Sequence, residues 1–306
     1  MENPTGKKIV IAGGRGFLGM SLAAALPAEF SEVVVLTRGP ARSAGRVRFV
    51  AWDAKTVGGW AAELDGAAAV VNLVGRTVDC RKTPANKREI LTSRVDSVHA
   101  LAAAIKRCDR PPPVWVQAAT AHIFGDTADE ILDESSPTGD GFAPDVGRAW
   151  EAALDDADLG DCRRVILRIS FVIGRGGGPL KILARLARLG LGGTVGHGRQ
   201  WISWLHQDDL NRIILRAIED DTMAGVYVAT SPQPQPNRIF MAELRRAVRR
   251  PWSPPAPAIG VRIASVFLRT DPELALLGRR CVPTRLLREG FEFEHPNLRE
   301  ALAHLL

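Results

Sequence analysis

Three glycines near the N-terminus have the spacing of a turn that binds phosphate groups. The segment GGRGFLG spans residues 13–19 and follows an apolar run at 9–12. A tight turn needs the first glycine, a phosphate approaching the backbone needs the second, and close packing of helix on strand needs the third. Free amides at the helix N-terminus then attract a diphosphate. The pattern predicts a dinucleotide site formed by Gly13, Arg15, Gly16, Phe17, Leu18 and Gly19, and the alternative is a structural turn without a ligand.

The end of the second apolar run indicates which dinucleotide binds. Sites that prefer NAD usually carry a carboxylate there, whereas this chain has Thr37 and Arg38. A carboxylate repels a 2′-phosphate, and a guanidinium binds it with two hydrogen bonds. Arg15 adds a second cation on the same side. The sequence therefore predicts NADP(H), unless Arg38 is only a solvated loop residue.

Two further segments follow apolar runs and border the same site. Asp53 comes after the third run, where its carboxylate could accept a hydrogen bond from the adenine amino group, or could serve as a loop carboxylate or helix cap. After the fourth run, we expect four consecutive residues beside the middle of the cofactor: Asn72, Leu73, Val74 and Gly75.

The elements that must position these residues alternate between strand-length apolar runs and helical stretches. Strands so uniformly apolar must be covered on both faces, which indicates a parallel sheet flanked by helices. The fold class is therefore α/β, a doubly wound parallel sheet of the Rossmann type. The predicted strands are 9–12, 33–36, 47–50, 69–73, 114–118, 164–169, 201–206 and 225–229.

Helical spacing and proline punctuation divide the rest of the chain. Long helical patterns occupy 17–26, 86–107 and 180–191, and Asp208 or Asp209 is the expected cap of a helix after 206. We expect a dinucleotide-binding domain over 1–174 together with 201–230. A smaller mixed C-terminal substrate lobe then comprises 175–200 and 231–306.

Composition excludes several classes of protein. The 306 residues are 46% hydrophobic and 24% charged, which is typical of a globular protein. Neither an apolar run long enough to cross a bilayer nor a signal-type stretch at 1–8 is present, so we expect a cytoplasmic protein without a membrane partner. The formal charge of +6 favours anionic small molecules. The arginines at 245–250 indicate a solvated helix face rather than a nucleic-acid site, because no aromatic residues are interleaved with them.

The cysteines are not expected to bind metal. Their positions show no CxxC motif and no spacing paired with histidine, so the sequence predicts reduced thiols and no metal site. The four residues are Cys80, Cys108, Cys162 and Cys281.

Motifs along nearly the whole chain resemble the extended short-chain dehydrogenase/reductase family. Within it, the chain is most similar to the epimerase family branch of nucleoside-diphosphate-sugar epimerase-like proteins. The matching segments are GGRGFLG at 13–19, VVNLVG at 70–75, SRV at 93–95, RISFVIGRGGG at 168–178, GRQWISWLHQDDL at 198–210 and LLGRRCVPTRLLREGFEF at 276–293. The resemblance implies NADP-type cofactor binding, a C-terminal substrate lobe and a nucleotide sugar as one possible substrate.

The resemblance also implies a catalytic group that this chain lacks. Active members use a Ser or Thr after the fifth strand and a Tyr-x-x-x-Lys pair on the next helix, because hydride transfer at a carbonyl needs a proton donor. Thr120 matches the hydroxyl position, although a strand-end threonine is an equal alternative. The helix at 141–151 has neither Tyr nor Lys, and the chain's single tyrosine, Tyr227, is expected in the core.

Other polar side chains are weaker candidates for the missing proton donor. His122 and His206 follow predicted strands and would titrate near pH 7 if unperturbed, but a hydrogen-bonded structural histidine is the commoner case. Arg168 and Trp201 are candidates to face a pocket between the lobes.

Two functions from different classes fit these features. One is an NADP(H)-dependent oxidoreductase or epimerase-like enzyme with an unusual proton relay, acting on an unknown small molecule. The other is an inactive dinucleotide-binding sensor or scaffold. The missing tyrosine and lysine favour the second function, and the elaborate C-terminal lobe favours the first. An oligomer is possible, and the sequence does not define the number of subunits.

Overall fold

Short apolar strands and amphipathic helices alternate throughout the computed structural model, which describes residues 6–306 apart from the side chain of residue 268. The first residues of the predicted dinucleotide-binding domain, 1–5, lie outside the described residues. The strands are β1 (Lys8–Ala12), β2 (Glu32–Thr37), β3 (Arg42–Ala44), β4 (Val47–Ala51), β5 (Ala69–Asn72), β6 (Val114–Thr120), β7 (Ile131–Leu132), β8 (Arg163–Ile169), β9 (Phe171–Ile173), β10 (Trp201–Ile202), β11 (Trp204–His206), β12 (Gly225–Ala229), β13 (Gln235–Pro236) and β14 (Arg280–Cys281).

The helices connect these strands and build most of the C-terminal region. They are α1 (Phe17–Ala25), α2 (Pro84–Ile105), α3 (Phe142–Asp155), α4 (Gly178–Arg188), α5 (Gln207–Glu219), α6 (Asn237–Ala247), α7 (Ala258–Leu268), α8 (Glu273–Leu276), α9 (Thr284–Arg288) and α10 (Leu298–Leu305). Two 3-10 helices, Gly59–Glu63 and Ala121–Phe124, follow β4 and β6.

Eight strands form one sheet in the order β12-β8-β6-β5-β1-β2-β4-β3. All neighbours are parallel except β3, which folds back antiparallel on β4 and closes that edge. The chain runs outward from β1 to β2 and then returns to β5 on the other side of β1. The carboxyl ends of β1 and β5 therefore flank the point where strand order reverses, which is where ligands bind in such sheets. The predicted α/β, doubly wound fold is confirmed.

Alternating side chains of the central strands enter two separate cores. Ile9, Ile11 and Val33 pack with α1 and α5 on one face. Val10 and Val34 pack with α2 and α3 on the other. Both faces are buried, which explains why these strands have continuous apolar sequences rather than alternating ones.

Two details of the predicted elements are wrong. The strand expected over 201–206 is two strands: β10 pairs with β13, and β11 pairs with β9 outside the main sheet. Ser203 separates them, and its hydroxyl donates to the carbonyl of Arg279. Neither Asp208 nor Asp209 caps α5, because both lie in its first turn. The cap is His206, whose Nδ1 accepts a hydrogen bond from the amide of Asp208.

The structure also shows the surroundings of the cysteines, Tyr227 and Arg246. All four cysteines are free, and burial raises the pKa of the Cys162 and Cys281 thiols to about 11. Tyr227 is buried in β12. Arg246 is exposed and paired with Glu243. Among the described residues, no helix has the length and apolar character needed to span a membrane.

Gly19 sets how closely α1 approaches the end of β1. A Cβ atom at Gly19 would lie 2.2 Å from Cα and 2.5 Å from the carbonyl oxygen of Gly14. Real Cβ atoms do not approach backbone so closely, so a larger residue must push the helix away from the turn. At Gly16, by contrast, the nearest atom to an added Cβ is 3.6 Å away, and its φ of −74° suits any residue.

We expect Gly19→Ala to lower the free energy of unfolding by about 1–3 kcal/mol, as overpacking usually does. Gly16→Ala is the matched control, which we expect to leave stability nearly unchanged. Urea unfolding of both variants measures the difference. Equal stability of the two variants would contradict the proposed steric limit at Gly19.

Candidate functional site

The glycine turn leaves the N-terminus of α1 open. Gly13 has a φ of +73°, and a Cβ there would lie 2.9 Å from the Cα of Val74. Gly16 is exposed and caps α1 without a side-chain hydrogen bond, and no acidic residue occupies the first turn of the helix. The first amides of α1 are therefore available to an anion.

The other residues of the turn are placed at its margins. Phe17 begins α1, and its ring packs against the glycine-rich loop 174–178, where a Cβ at Gly177 would lie 2.4 Å from the ring. Leu18 is half-buried beside the core formed by α1 and α5. These apolar contacts fix the direction in which α1 leaves the turn.

Two arginines lie at the end of β2, next to the open helix terminus. The Arg15 guanidinium lies over Gly39, since a Cβ added there would be 2.4 Å from Nη1 of Arg15. The buried Thr37 accepts a hydrogen bond from the amide of Gly39 at 3.1 Å through its hydroxyl oxygen. Arg38 is exposed. The end of β2 thus carries the Arg38 side chain and no acidic one, and the Arg15 guanidinium lies beside it.

Asp53 is engaged by its own loop. Its carboxylate accepts hydrogen bonds from the amides of Lys55 and Thr56, each at 2.9 Å, and from the Thr56 hydroxyl at 2.6 Å. These hydrogen bonds lower the pKa of Asp53 to about 2. These hydrogen bonds match the loop role that was one of the two alternatives for Asp53. A contact between Asp53 and adenine stays a prediction.

The Asn72 side chain holds the segment after β5, and its amide group is hydrogen-bonded within the protein. Its Oδ1 accepts from the amide of Val74 at 3.1 Å. Its Nδ2 donates to Gln117 at 3.0 Å and to Ser97 at 3.3 Å. The side chain is fully buried. Asn72 therefore holds a turn in which Leu73 and Val74 are half-buried and Gly75 is exposed, and β5 ends one residue before the predicted limit at Leu73.

Thr120 ends β6 on the same edge of the sheet. Its hydroxyl oxygen accepts from the amide of His122 at 3.1 Å and caps the 3-10 helix that follows. The amide uses one lone pair of the oxygen, so the hydroxyl proton is still able to donate. Thr120 can thus cap the turn and contact a substrate oxygen at once.

His122 does not titrate near pH 7, contrary to the expectation from an unperturbed ring. Loss of hydration, and to a lesser extent the nearby positive charges of Arg279, Lys82 and Arg94, together lower the pKa of His122 to about 3. The imidazole is consequently neutral in ordinary conditions. It can hydrogen-bond a substrate, but its protonated form is too scarce to act as a strong acid.

The cations around His122 were not assigned a role from the sequence. Arg94 donates to the carbonyls of Arg76 and Ile90 and lies over the Trp150 ring. Arg279 donates to the carbonyl of Gly125. Among residues 6–306, neither forms an ion pair within 4 Å, and loss of hydration lowers the pKa of Arg94 to about 10. Only the fold shows that these residues, nearly 200 positions apart, flank one short helix.

Nothing on α3 takes the place of the tyrosine and lysine. Glu151 of this helix forms a buried two-bond ion pair with Arg168, at 2.9 and 2.8 Å, so Arg168 is held in the structure and does not face a pocket freely. Tyr227 donates to Glu289 at 2.9 Å, and burial raises its pKa to about 12. Tyr227 therefore belongs to the core, as predicted.

The remaining candidates, Trp201 and His206, are each held by contacts with other residues. Trp201 donates through its indole to Asp129 at 2.8 Å. Burial, together with the charge of His295, lowers the pKa of His206 to about 4, so His206 does not titrate near pH 7 either. His206 instead lies in a cluster with Asp208, His295 and His304 that the local spacing of residues could not reveal.

Comparisons with known proteins agree with this architecture. The family model described as NAD dependent epimerase/dehydratase family matches residues 9–229, and a domain of unknown function, DUF1731, matches 256–305. The bovine protein named epimerase family protein SDR39U1 is 34% identical over 306 residues, which cover 98% of this chain and 99% of that protein.

Two solved structures extend the comparison. The human epimerase family protein SDR39U1, solved with NADPH, is 31% identical with a TM-score of 0.87 over 97% of this chain and 98% of its own. A nucleoside-diphosphate sugar epimerase from Corynebacterium glutamicum is 29% identical with a TM-score of 0.78, over 98% of this chain and 58% of its own. The resemblance inferred from sequence motifs is confirmed, and the chain belongs to the NAD dependent epimerase/dehydratase family.

Proposed function

We propose that the protein binds NADP(H) and uses it to act on a small anionic substrate at the carboxyl edge of the sheet. The observation that carries this proposal is the open N-terminus of α1 with Arg15 and Arg38 beside it. When bound, a nicotinamide cofactor supplies or accepts a hydride. The human relative solved with NADPH supports this choice of cofactor.

The residues suited to hold the cofactor have distinct tasks. The backbone amides at Gly16, Phe17 and Leu18 would bind the diphosphate, since Gly13 and Gly19 bring helix and turn together. Arg15, Thr37 and Arg38 would surround the 2′-phosphate. Asn72 would keep the segment through Gly75 in place, and Asp53 would border the adenine.

The substrate would lie beside Thr120 and His122. The Thr120 hydroxyl is suited to donate to a carbonyl oxygen, and the neutral His122 ring can offer a second hydrogen bond. Arg94 and Arg279 make the surroundings positive, which favours an anion, whereas the charge of Lys82 is paired with that of Asp271 at 2.9 Å. A nucleoside-diphosphate sugar is one such anion, and the name of the Corynebacterium relative supports that class.

The absent Tyr-x-x-x-Lys pair supports a second candidate, an inactive sensor or scaffold that binds the dinucleotide. Both candidates require the same cofactor site. They differ in whether a proton reaches the substrate oxygen, because reduction of a carbonyl needs one. Thr120 would pass on such a proton only with a further donor, such as water.

We also propose that the chain works as two lobes. Residues 1–174 together with 201–230 would hold the dinucleotide, and 175–200 with 231–306 would bind the substrate. Contacts between α10 and α6 and between α4 and α6 build a third core, to which Ile173 and Trp204 of the first lobe also contribute.

Arg38→Asp should weaken NADPH binding roughly tenfold to a hundredfold, and NADH binding much less, because a charge-assisted hydrogen bond contributes about 1.5–3 kcal/mol. Arg107→Asp makes the same change of charge at an exposed position after α2, far from β2's carboxyl end, and should affect neither. Calorimetric titration with both coenzymes measures the ratio. An equal loss for NADPH and NADH would exclude a 2′-phosphate contact.

Oxidation of NADPH over a panel of carbonyl compounds and sugar nucleotides separates enzyme from sensor. We expect turnover with an anionic member of the panel. Thr120→Val should then reduce kcat by about a hundredfold, as loss of one donor to a reacting oxygen does. Thr120→Ser, which keeps the hydroxyl, should retain most activity.

Thermal unfolding of the Thr120 variants controls for the cap that this residue provides. Tight NADPH binding without turnover across the whole panel would overturn the enzyme proposal and favour the sensor.

A further inference from the structure

Half of the chain's six histidines converge at one place outside the cofactor site. His206 ends β11 and caps α5, His295 lies in the segment before α10, and His304 lies in the last turn of α10. Asp208, in the first turn of α5, completes the group. The segment 206–208 thus meets His295 and His304, some 90 to 100 positions later, where β11, α5 and α10 come together.

The nitrogen and oxygen atoms of this group are close enough to share one ion. His206 Nε2 and His304 Nδ1 are 3.3 Å apart. The Asp208 carboxylate lies 3.6 Å from His206 Nδ1 and 3.8 Å from His295 Nε2. One ligand atom from each residue lies within 4.8 Å of all the others. Four ligands bound to Zn²⁺ at about 2.0–2.2 Å in a tetrahedron are themselves about 3.3–3.6 Å apart, so small side-chain movements would complete the geometry.

Without metal, hydrogen bonds account for only part of the arrangement. His206 Nδ1 accepts from the amide of Asp208 at 3.1 Å, so the neutral ring carries its proton on Nε2 and donates it to His304 Nδ1. The His295 ring is tilted by 39° against His206 at 3.8 Å between centroids, and its Nε2 lies 3.8 Å from the Asp208 carboxylate, beyond hydrogen-bond distance. To bind a metal as a neutral ring, His206 must use Nδ1 directly or move its proton from Nε2 to Nδ1, and in both cases Nδ1 no longer accepts from the amide of Asp208.

We propose that His206, Asp208, His295 and His304 form a Zn²⁺ site. Three imidazoles and one carboxylate are ligands that Zn²⁺ accepts readily, and four protein ligands are typical of a structural rather than a catalytic zinc. The site can be reached from solvent, because His304 is exposed and 38% of the Asp208 side chain is accessible. The negative charge of Asp208 offsets part of the charge of the ion.

The location indicates what the ion would do. It would join the C-terminal helix α10 to the N-terminus of α5. Arg175 donates to the carbonyl of His304, and its amide donates to Gln207, so the same contacts reach the loop 174–178. That loop packs on Phe17 of the glycine turn. Zinc would therefore stabilise the loop 174–178, which packs on α1, without contacting a cofactor or substrate.

Calorimetric titration of Zn²⁺ into full-length protein first stripped with a chelator tests the proposal. We expect one ion per chain and a melting temperature that rises with zinc concentration, since a ligand that binds only the folded state stabilises it. Binding should release protons, so titrations in two buffers of different ionisation enthalpy should differ. Substitution of Co²⁺ should give the intense visible absorption of a tetrahedral site.

His304→Ala and His295→Ala test the ligands at positions where folding should survive. His304 is exposed, whereas His206 caps α5 and is a poorer choice for substitution. Each variant should bind Zn²⁺ at least about tenfold more weakly and lose the zinc-dependent rise in melting temperature. His99→Ala, at an exposed position on α2, is the matched control and should behave as the unchanged protein does.

Three results would overturn the proposal. They are no binding of Zn²⁺, equal binding by His304→Ala, His295→Ala and the unchanged protein, and weak binding of several ions per chain that does not alter melting. NADPH affinity is measured on the same samples. A variant that loses Zn²⁺ binding need not lose NADPH binding, so the two measurements distinguish this site from the cofactor site.

Discussion

Close approach of backbone to backbone at the glycine turn is the constraint on which the rest of the site depends. Gly13 lies against the segment after β5, and Gly19 lies against Gly14. These two contacts hold α1 with its first amides pointing into the crevice between β1 and β5. The open amides, the arginines at the end of β2 and the segment through Gly75 therefore share one edge of the sheet, where strand order reverses.

The buried and half-buried arginines differ in how their charge is balanced. Arg168 is neutralised by Glu151 inside the protein, whereas Arg94 and Arg279 bond only to carbonyl oxygens among the partners that the structure describes. Keeping a guanidinium partly dehydrated without a carboxylate is unfavourable. Loss of hydration keeps His122 neutral, and these positive charges add to that effect. A site built in this way is suited to an incoming anion, which would supply the missing negative charge.

The elements that could be predicted are those determined by residues close together in the sequence. Continuous apolar runs located the central strands, and the glycine spacing located the turn, because burial on both faces and positive φ each demand particular residues. The cap of α5 was misassigned, since Asp208 and Asp209 are common caps and His206 is a rare one. The role of Asn72, the pKa of His122 and the meeting of His206 with His295 and His304 depend on contacts between distant segments. No local pattern carries that information.

The short strand β3 also has a consequence for how the molecule behaves at high concentration. It covers one margin of the sheet with only three residues, all exposed, and Arg42 stacks on Phe49 of the neighbouring strand. So brief and polar an outermost strand offers a second molecule few free backbone groups to pair with. Intermolecular sheet extension, the first step toward fibrillar deposits, is thereby discouraged along this margin.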